Sequence, residues 1–176
     1  MALIQTVSRE NAEGKVKDVY DKMMETVGTI PKPLKMLSVS PELLSMQMEP
    51  MGYFMAHPTL TFPLLAHIRL LVAHHFNYGY CVEFNSGILQ MFAEVTDEQL
   101  DATLADPAGA RLDEKELALL QFVLKAIKTP DAVGEEDIAP LHVLGWTDRD
   151  IFDATAHGAD MVRHGTLFKA FKMDQE

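Results

Sequence analysis

Apolar residues along this chain recur at steps of three and four, and almost nowhere in the two-residue rhythm of a strand. Val16, Val19 with Tyr20, Met23 and Val27 trace one face of a first helix, with Ser8 as its expected N-cap. Gly28 and the Pro31/Pro33 pair end it. Ser40-Pro41 reads as an N-cap and a first-turn proline, opening a helix that runs to His57 and stops at Pro58. Thr61 and Pro63 begin another that reaches Asn77, Gly79 marks a break or restart, and a further helix covers 80–94. Three capping boxes follow: Thr96 with Gln99, Asp113 with Glu116, and Thr147 with Asp150. The helix from Asp113 closes at Thr129-Pro130, a segment at 135–144 is shortened or bent by Pro140, and the last helix covers 148–171. No Gly/Ser linker or low-complexity tract intervenes. The expectation is one all-α domain over residues 1–176, a bundle of about eight helices.

Composition adds limits to that picture. A chain of 176 residues, 48% hydrophobic and 23% charged, can bury a core without metal or disulfide staples. Its single cysteine excludes an intrachain disulfide, a CxxC redox pair and an all-cysteine metal site. The net charge of −11 is lopsided: residues 1–88 hold 7 Lys and Arg against 8 Asp and Glu, residues 89–176 hold 8 against 18. Such a chain repels phosphate backbones, so neither nucleic acid nor an anionic membrane is an expected partner. Part of the acidity has a structural origin, because Asp97, Glu98, Asp113, Glu114, Asp148 and Asp150 fall in first turns, where helix dipoles favour anions. The first ten residues lack the regions of a signal peptide, and the apolar stretch 60–73 is broken by Pro63, His67 and Arg69. A cytoplasmic location is the expectation.

Reactive residue types are densest in HIRLLVAHHFNYGYCVEFN, residues 67–85. On one continuous helix His67, His74, Tyr78, Cys81 and Asn85 would share a face, unless Gly79 rotates the two halves apart. Cys81 has two readings: a thiolate, its pKa lowered by a helix N-terminus and by His74 or His75, or an inert buried cysteine, the commoner fate. His74 and His75 point about 100° apart, so only one of them faces any given site; His74 is preferred because it shares a face with His67. A second constellation lies on the last helix, where Asp153, His157, Asp160 and His164 form a stripe. Such residues can ligate zinc or iron, but one helix alone rarely completes a coordination sphere, and a solvated or interface face is the preferred reading. Seven of the eleven methionines fall between Met23 and Met55, suited to core and subunit interface, and Trp146 after Gly145 plugs the turn before the last helix.

Three runs in order, GTIPKPLKMLSVSPELL, the helix ending in NYGYCVEFN, and DIAPLHVLGWTDRDIFDA, resemble carboxymuconolactone decarboxylase-like proteins, and within them the AhpD-like, peroxidase-related branch. The likeness spans residues 8–171. Redox members of that family use CxxCxxxH with a glutamate twelve residues ahead of the first cysteine; the matching positions here are Ala66, Tyr78, Cys81 and Asn85, with His67 adjacent. The decarboxylase branch lacks the cysteine pair and keeps a histidine where this chain has Asn85. The resemblance implies an AhpD-like helical bundle and a homo-oligomer (dimer, trimer or hexamer); no cofactor or metal is expected. It also implies thiol-dependent hydroperoxide reduction with Cys81 attacking, His74 tuning it and an external thiol resolving the sulfenic acid, since one cysteine cannot do both. The alternatives are a decarboxylase-type or other cofactor-free reaction using His67, His74, Tyr78 and Glu83, and a non-catalytic binding or scaffold protein.

Overall fold

The computed structural model describes residues 1–175, and among them there are helices and turns but no strand. Among the described residues nine α-helices follow one another: α1 Gly14–Thr26, α2 Lys32–Leu37, α3 Pro41–Met55, α4 Phe62–His75, α5 Gly79–Ala93, α6 Asp97–Ala105, α7 Glu114–Lys128, α8 Glu135–Val143 and α9 Asp148–Ala170. Two compact units are distinguishable. One comprises residues 1–57 with 166–175, the other residues 58–165.

In the first unit α1 and α2 pack on α3. The face expected for α1 is the one buried, through Val16, Val19, Tyr20 and Met23, but Val27 lies beyond the helix and is exposed. Ser8 does not cap it. Ser8 precedes a single 3-10 turn, Arg9–Asn11, with no side-chain cap bond, and Glu13 stands at the N-cap of α1. The Tyr20 hydroxyl donates to the Val7 carbonyl at 2.9 Å, and the Val7 amide donates to Ser38 Oγ at 2.8 Å, which ties the leading segment down. The Pro31/Pro33 pair, expected only to end α1, also starts α2: both prolines fall where helical N–H groups have no partner anyway. The methionines divide. Met23 and Met36 are core, whereas Met46 and Met55 of α3 are exposed.

In the second unit α4 packs against α5 and α7, and α7 against α8. α4 is buried nearly all round, nine of its residues being inaccessible, so it is the central helix of this unit. Ala66 and Leu70 of α4, Leu89 of α5, and Val95 and Leu100 form one apolar cluster. α9 approaches α4 and α7 closely at Gly158, where a Cβ would come within 3.0 Å of Val123 and 3.4 Å of Ile68. Trp146 fills its corner as expected, donating from Nε1 to the Lys115 carbonyl at 2.9 Å beneath the Lys115 ammonium.

Two of the three expected capping boxes close completely and one only in part. Thr96 and Gln99 form a complete box, at 3.3 and 2.9 Å. Thr147 and Asp150 do too, at 3.2 and 2.9 Å. Asp113 accepts from the Glu116 amide at 2.8 Å, but the Glu116 carboxylate bonds Thr61 instead of reaching back. Because Thr96 is exposed and its side-chain oxygen serves only the cap, Thr96→Ala is expected to cost about 1 kcal/mol. A urea unfolding curve measures it; an unchanged midpoint would remove the cap as a source of stability.

Candidate functional site

The stripe read from residues 67–85 is split by the backbone. α4 ends at His75, Asn77 takes a left-handed conformation with φ 56°, and α5 restarts at Gly79. Asparagine tolerates that region because its short polar side chain bonds locally. The break that Gly79 suggested is therefore real, and the five residues do not form one continuous face.

Cys81 is in the first turn of α5 and buried, at 3% exposure. Burial alone acts on its thiol and pushes it up to about 11. The expectation that His74 or His75 lowers it is corrected: both are exposed on the last turn of α4, and neither contributes to the Cys81 shift. The helix N-terminus does not overcome the loss of water around the sulfur either.

Tyr78 stands at the N-cap of α5, its ring stacked on Phe76 at 5.7 Å and pressed against Gly165, where a Cβ would lie 2.1 Å from two ring carbons. Glu83 is exposed on α5. His67 is fully buried in α4, hydrogen-bonded through Nδ1 to the Pro63 carbonyl at 2.8 Å. That bond makes Nδ1 the protonated nitrogen, and Nε2 is left as a buried acceptor without a partner among the described residues. Burial lowers the His67 pKa and keeps the ring neutral.

Asn85 joins a set that the sequence reading did not assemble. Its Oδ1 accepts from Arg69 Nε at 2.9 Å, and its Nδ2 donates to the Cys81 carbonyl at 2.7 Å. A second nitrogen of Arg69 donates to His157 Nε2 at 3.1 Å. Since a guanidinium has no acceptor, Nε2 of His157 must be unprotonated. His157 is held neutral, its pKa pushed down to about 3 by burial first and by the Arg69 charge second, against the raising effects of Asp160 and a backbone bond at Leu65. Arg69 itself is lowered to about 10 by burial. Three helices supply this set: Arg69 from α4, Asn85 from α5, His157 from α9.

Arg69 was noticed in the sequence only as an interruption of an apolar stretch. A sharper signal exists: between Lys35 and Arg111 it is the only Lys or Arg, and it sits inside a run that is otherwise core. A charge in such a place needs partners, and partners separated by 16 and 88 residues are found only by folding.

The stripe Asp153, His157, Asp160 and His164 does not converge. His157 faces Arg69, whose positive charge opposes a cation there. Asp153 pairs with Arg149 at 3.5 Å. Asp160 pairs with Arg163 at 2.8 Å and His164 at 3.2 Å. Burial raises the Asp160 carboxyl, but the hydrogen bonds and charges of His164 and Arg163 outweigh it and hold the group well below the usual carboxylate range. Among the described residues no three of His, Cys, Asp and Glu come together as a metal ion requires. An apolar cleft of about 280 Å³ lies elsewhere in the second unit, lined by Phe122, Ile138, Asp148, Ile151, Phe152 and Thr155, none of them a candidate above. No helix among the described residues is long and apolar enough to cross a membrane.

No protein-family model and no curated protein matches this sequence. Solved structures do match. One is an uncharacterized peroxidase-related protein with an alkylhydroperoxidase AhpD core from Ralstonia eutropha JMP134, at a TM-score of 0.85 and 18% identity, covering 98% of this chain and 90% of that one. Another, an uncharacterized peroxidase-related protein from Silicibacter sp. TM1040, matches at a TM-score of 0.84 and 19% identity with the same coverage. With helices of this order and extent along the chain, the likeness establishes the architecture: the protein has the all-α fold of the AhpD core.

Proposed function

We propose that this is a peroxidase-related, AhpD-type protein whose site takes a small molecule without thiol redox chemistry, through hydrogen bonding and charge at Arg69, Asn85 and neutral His157. The observation that carries this reading is the state of Cys81. A dithiol peroxidase needs an attacking thiolate and a resolving thiol. Here the partner position is Tyr78, and the remaining thiol is buried with its pKa near 11. At pH 7 only on the order of one molecule in ten thousand would carry the thiolate. In the same layer Arg69 offers a positive charge able to hold or stabilise negative charge on a bound molecule, with no cofactor required.

A second reading keeps hydroperoxide reduction, with Cys81 attacking and an external thiol resolving. It is favoured by the register of Cys81 in the motif and by the names of the two structural neighbours. One experiment separates the two. The rate of reaction of the native thiol with an aromatic disulfide at pH 7.5 is expected to be at least a hundredfold below that of the urea-unfolded chain. Peroxide consumption with dithiothreitol as reductant is expected to be the same for wild type and Cys81→Ser. Fast native thiol reaction, together with peroxide turnover lost in Cys81→Ser, would replace the first reading by the second.

A further inference from the structure

We propose that Arg69 anchors a small monoanion bearing a planar oxyanion, the geometry a carboxylate presents. This deepens the reading that the site takes a small molecule. Four observations lead to it.

Arg69 lies within Leu64–Ala73 of α4, and every other residue of that run is buried. Removing a guanidinium from water costs several kcal/mol unless a counter-charge or full hydrogen bonding compensates. The counter-charge is absent. Both protein partners of Arg69, Asn85 Oδ1 and His157 Nε2, are neutral, and no carboxylate pairs with it among the described residues. The nearby acids of α9 are committed elsewhere, Asp160 to Arg163 and His164, and Asp153 to Arg149.

Donors are also left over. A guanidinium carries five N–H groups in a rigid fork, and two are used. The remainder have no protein acceptor among the described residues, and Arg69 is the one residue of Leu64–Ala73 that keeps partial solvent exposure. Asn85 and His157 thus grip the fork from helices α5 and α9 without discharging it. This is the preorganised arrangement in which a bidentate oxyanion gains most, because orientation is already fixed.

Charge narrows the class. One guanidinium neutralises one negative charge, the flanking imidazole cannot add another at neutral pH, and the chain as a whole carries −11. Dianions and polyanions are opposed by that field, and a flat single-charged group is the best match.

The test is calorimetric titration of the full chain with benzoate and acetate, and with benzamide as the neutral isostere, at constant ionic strength. Wild type and Cys81→Ser are both expected to bind benzoate at least tenfold more tightly than benzamide, so the result stands apart from the fate of the thiol reading. Arg69→Met is expected to weaken benzoate at least tenfold and leave benzamide unchanged. Should Arg69→Met fail to fold, Asn85→Asp answers the same question: it places a carboxylate on the Arg69 Nε, at the expense of the bond to the Cys81 carbonyl, so benzoate binding is expected to drop at least tenfold with benzamide binding unchanged. Equal binding of benzoate and benzamide, or benzoate binding that persists in Asn85→Asp and Arg69→Met, overturns the proposal.

Discussion

Gly165→Ala is expected to destabilise the protein by about 3 kcal/mol, lowering the melting temperature by about 6–12 °C. The added methyl would sit 2.1 Å from two carbons of the Tyr78 ring and 2.7 Å from a third, well inside van der Waals contact. That ring cannot simply swing away, since it is buried and stacked on Phe76. In an open helix, glycine to alanine would gain up to about 1 kcal/mol of backbone entropy, so the clash must exceed the net loss by that amount. Tyr78 is also the residue from which α5 starts, so its displacement pulls on the turn that carries Cys81. A double-mutant cycle with Tyr78→Leu should recover at least half of the loss, because the shorter side chain vacates the contested volume. A melting temperature within 1 °C of wild type for Gly165→Ala would show that α9 and Tyr78 are not in this contact.

The second large effect is acid lability centred on His157. Its folded pKa, about 3, lies below the ordinary value of 6.5, and that of His67 is lowered as well. For such groups the unfolded chain takes the proton first. Their contribution is fully present above pH 6.5 and is lost as the pH falls toward the folded value. His157 costs about 1.4 kcal/mol per pH unit inside that window, about 3 kcal/mol between pH 6.5 and 4.5, and His67 acts in the same direction. Asp160 acts in the same direction but lower: with its folded pKa depressed, its contribution is present above 3.8 and lost below it. The urea midpoint is therefore expected to fall steadily from pH 6.5 to 4.5. His157→Gln, which keeps an acceptor for Arg69 and cannot take the proton, should reduce that slope by about half. Equal slopes for wild type and His157→Gln would mean that the ring is not held neutral against Arg69.

The two effects differ in how visible they are in the sequence. Glycine at 165 reads as a weak spot in a helix, and nothing local says that an aromatic ring 87 residues away occupies the space a side chain would need. His157 reads as a member of a four-residue stripe. In the structure its neighbour across the interface of α4 and α9 is a cation, which turns a candidate ligand into a neutral acceptor. The stripe from His67 to Asn85 dissolved for a local reason instead: Asn77 turns left-handed and reorients everything after it.

Periodicity, caps and prolines by themselves determined the all-helical class and the extents of most helices, because those signals act within one or two turns of backbone. Thr96 with Gln99 and Thr147 with Asp150 close on themselves, and the Ser40-Pro41 and Thr61–Pro63 starts lie within a residue or two of the observed ones. The same locality explains the errors, since Ser8 competes with a 3-10 turn and the proline pair opens α2 as well as closing α1. What only the tertiary structure decided is the chemistry. Burial moved Cys81 up and His157 down, and packing of three helices left Arg69 between two neutral partners. Charge and solvation in a core depend on what surrounds a group in space, and a sequence specifies those surroundings only through the fold.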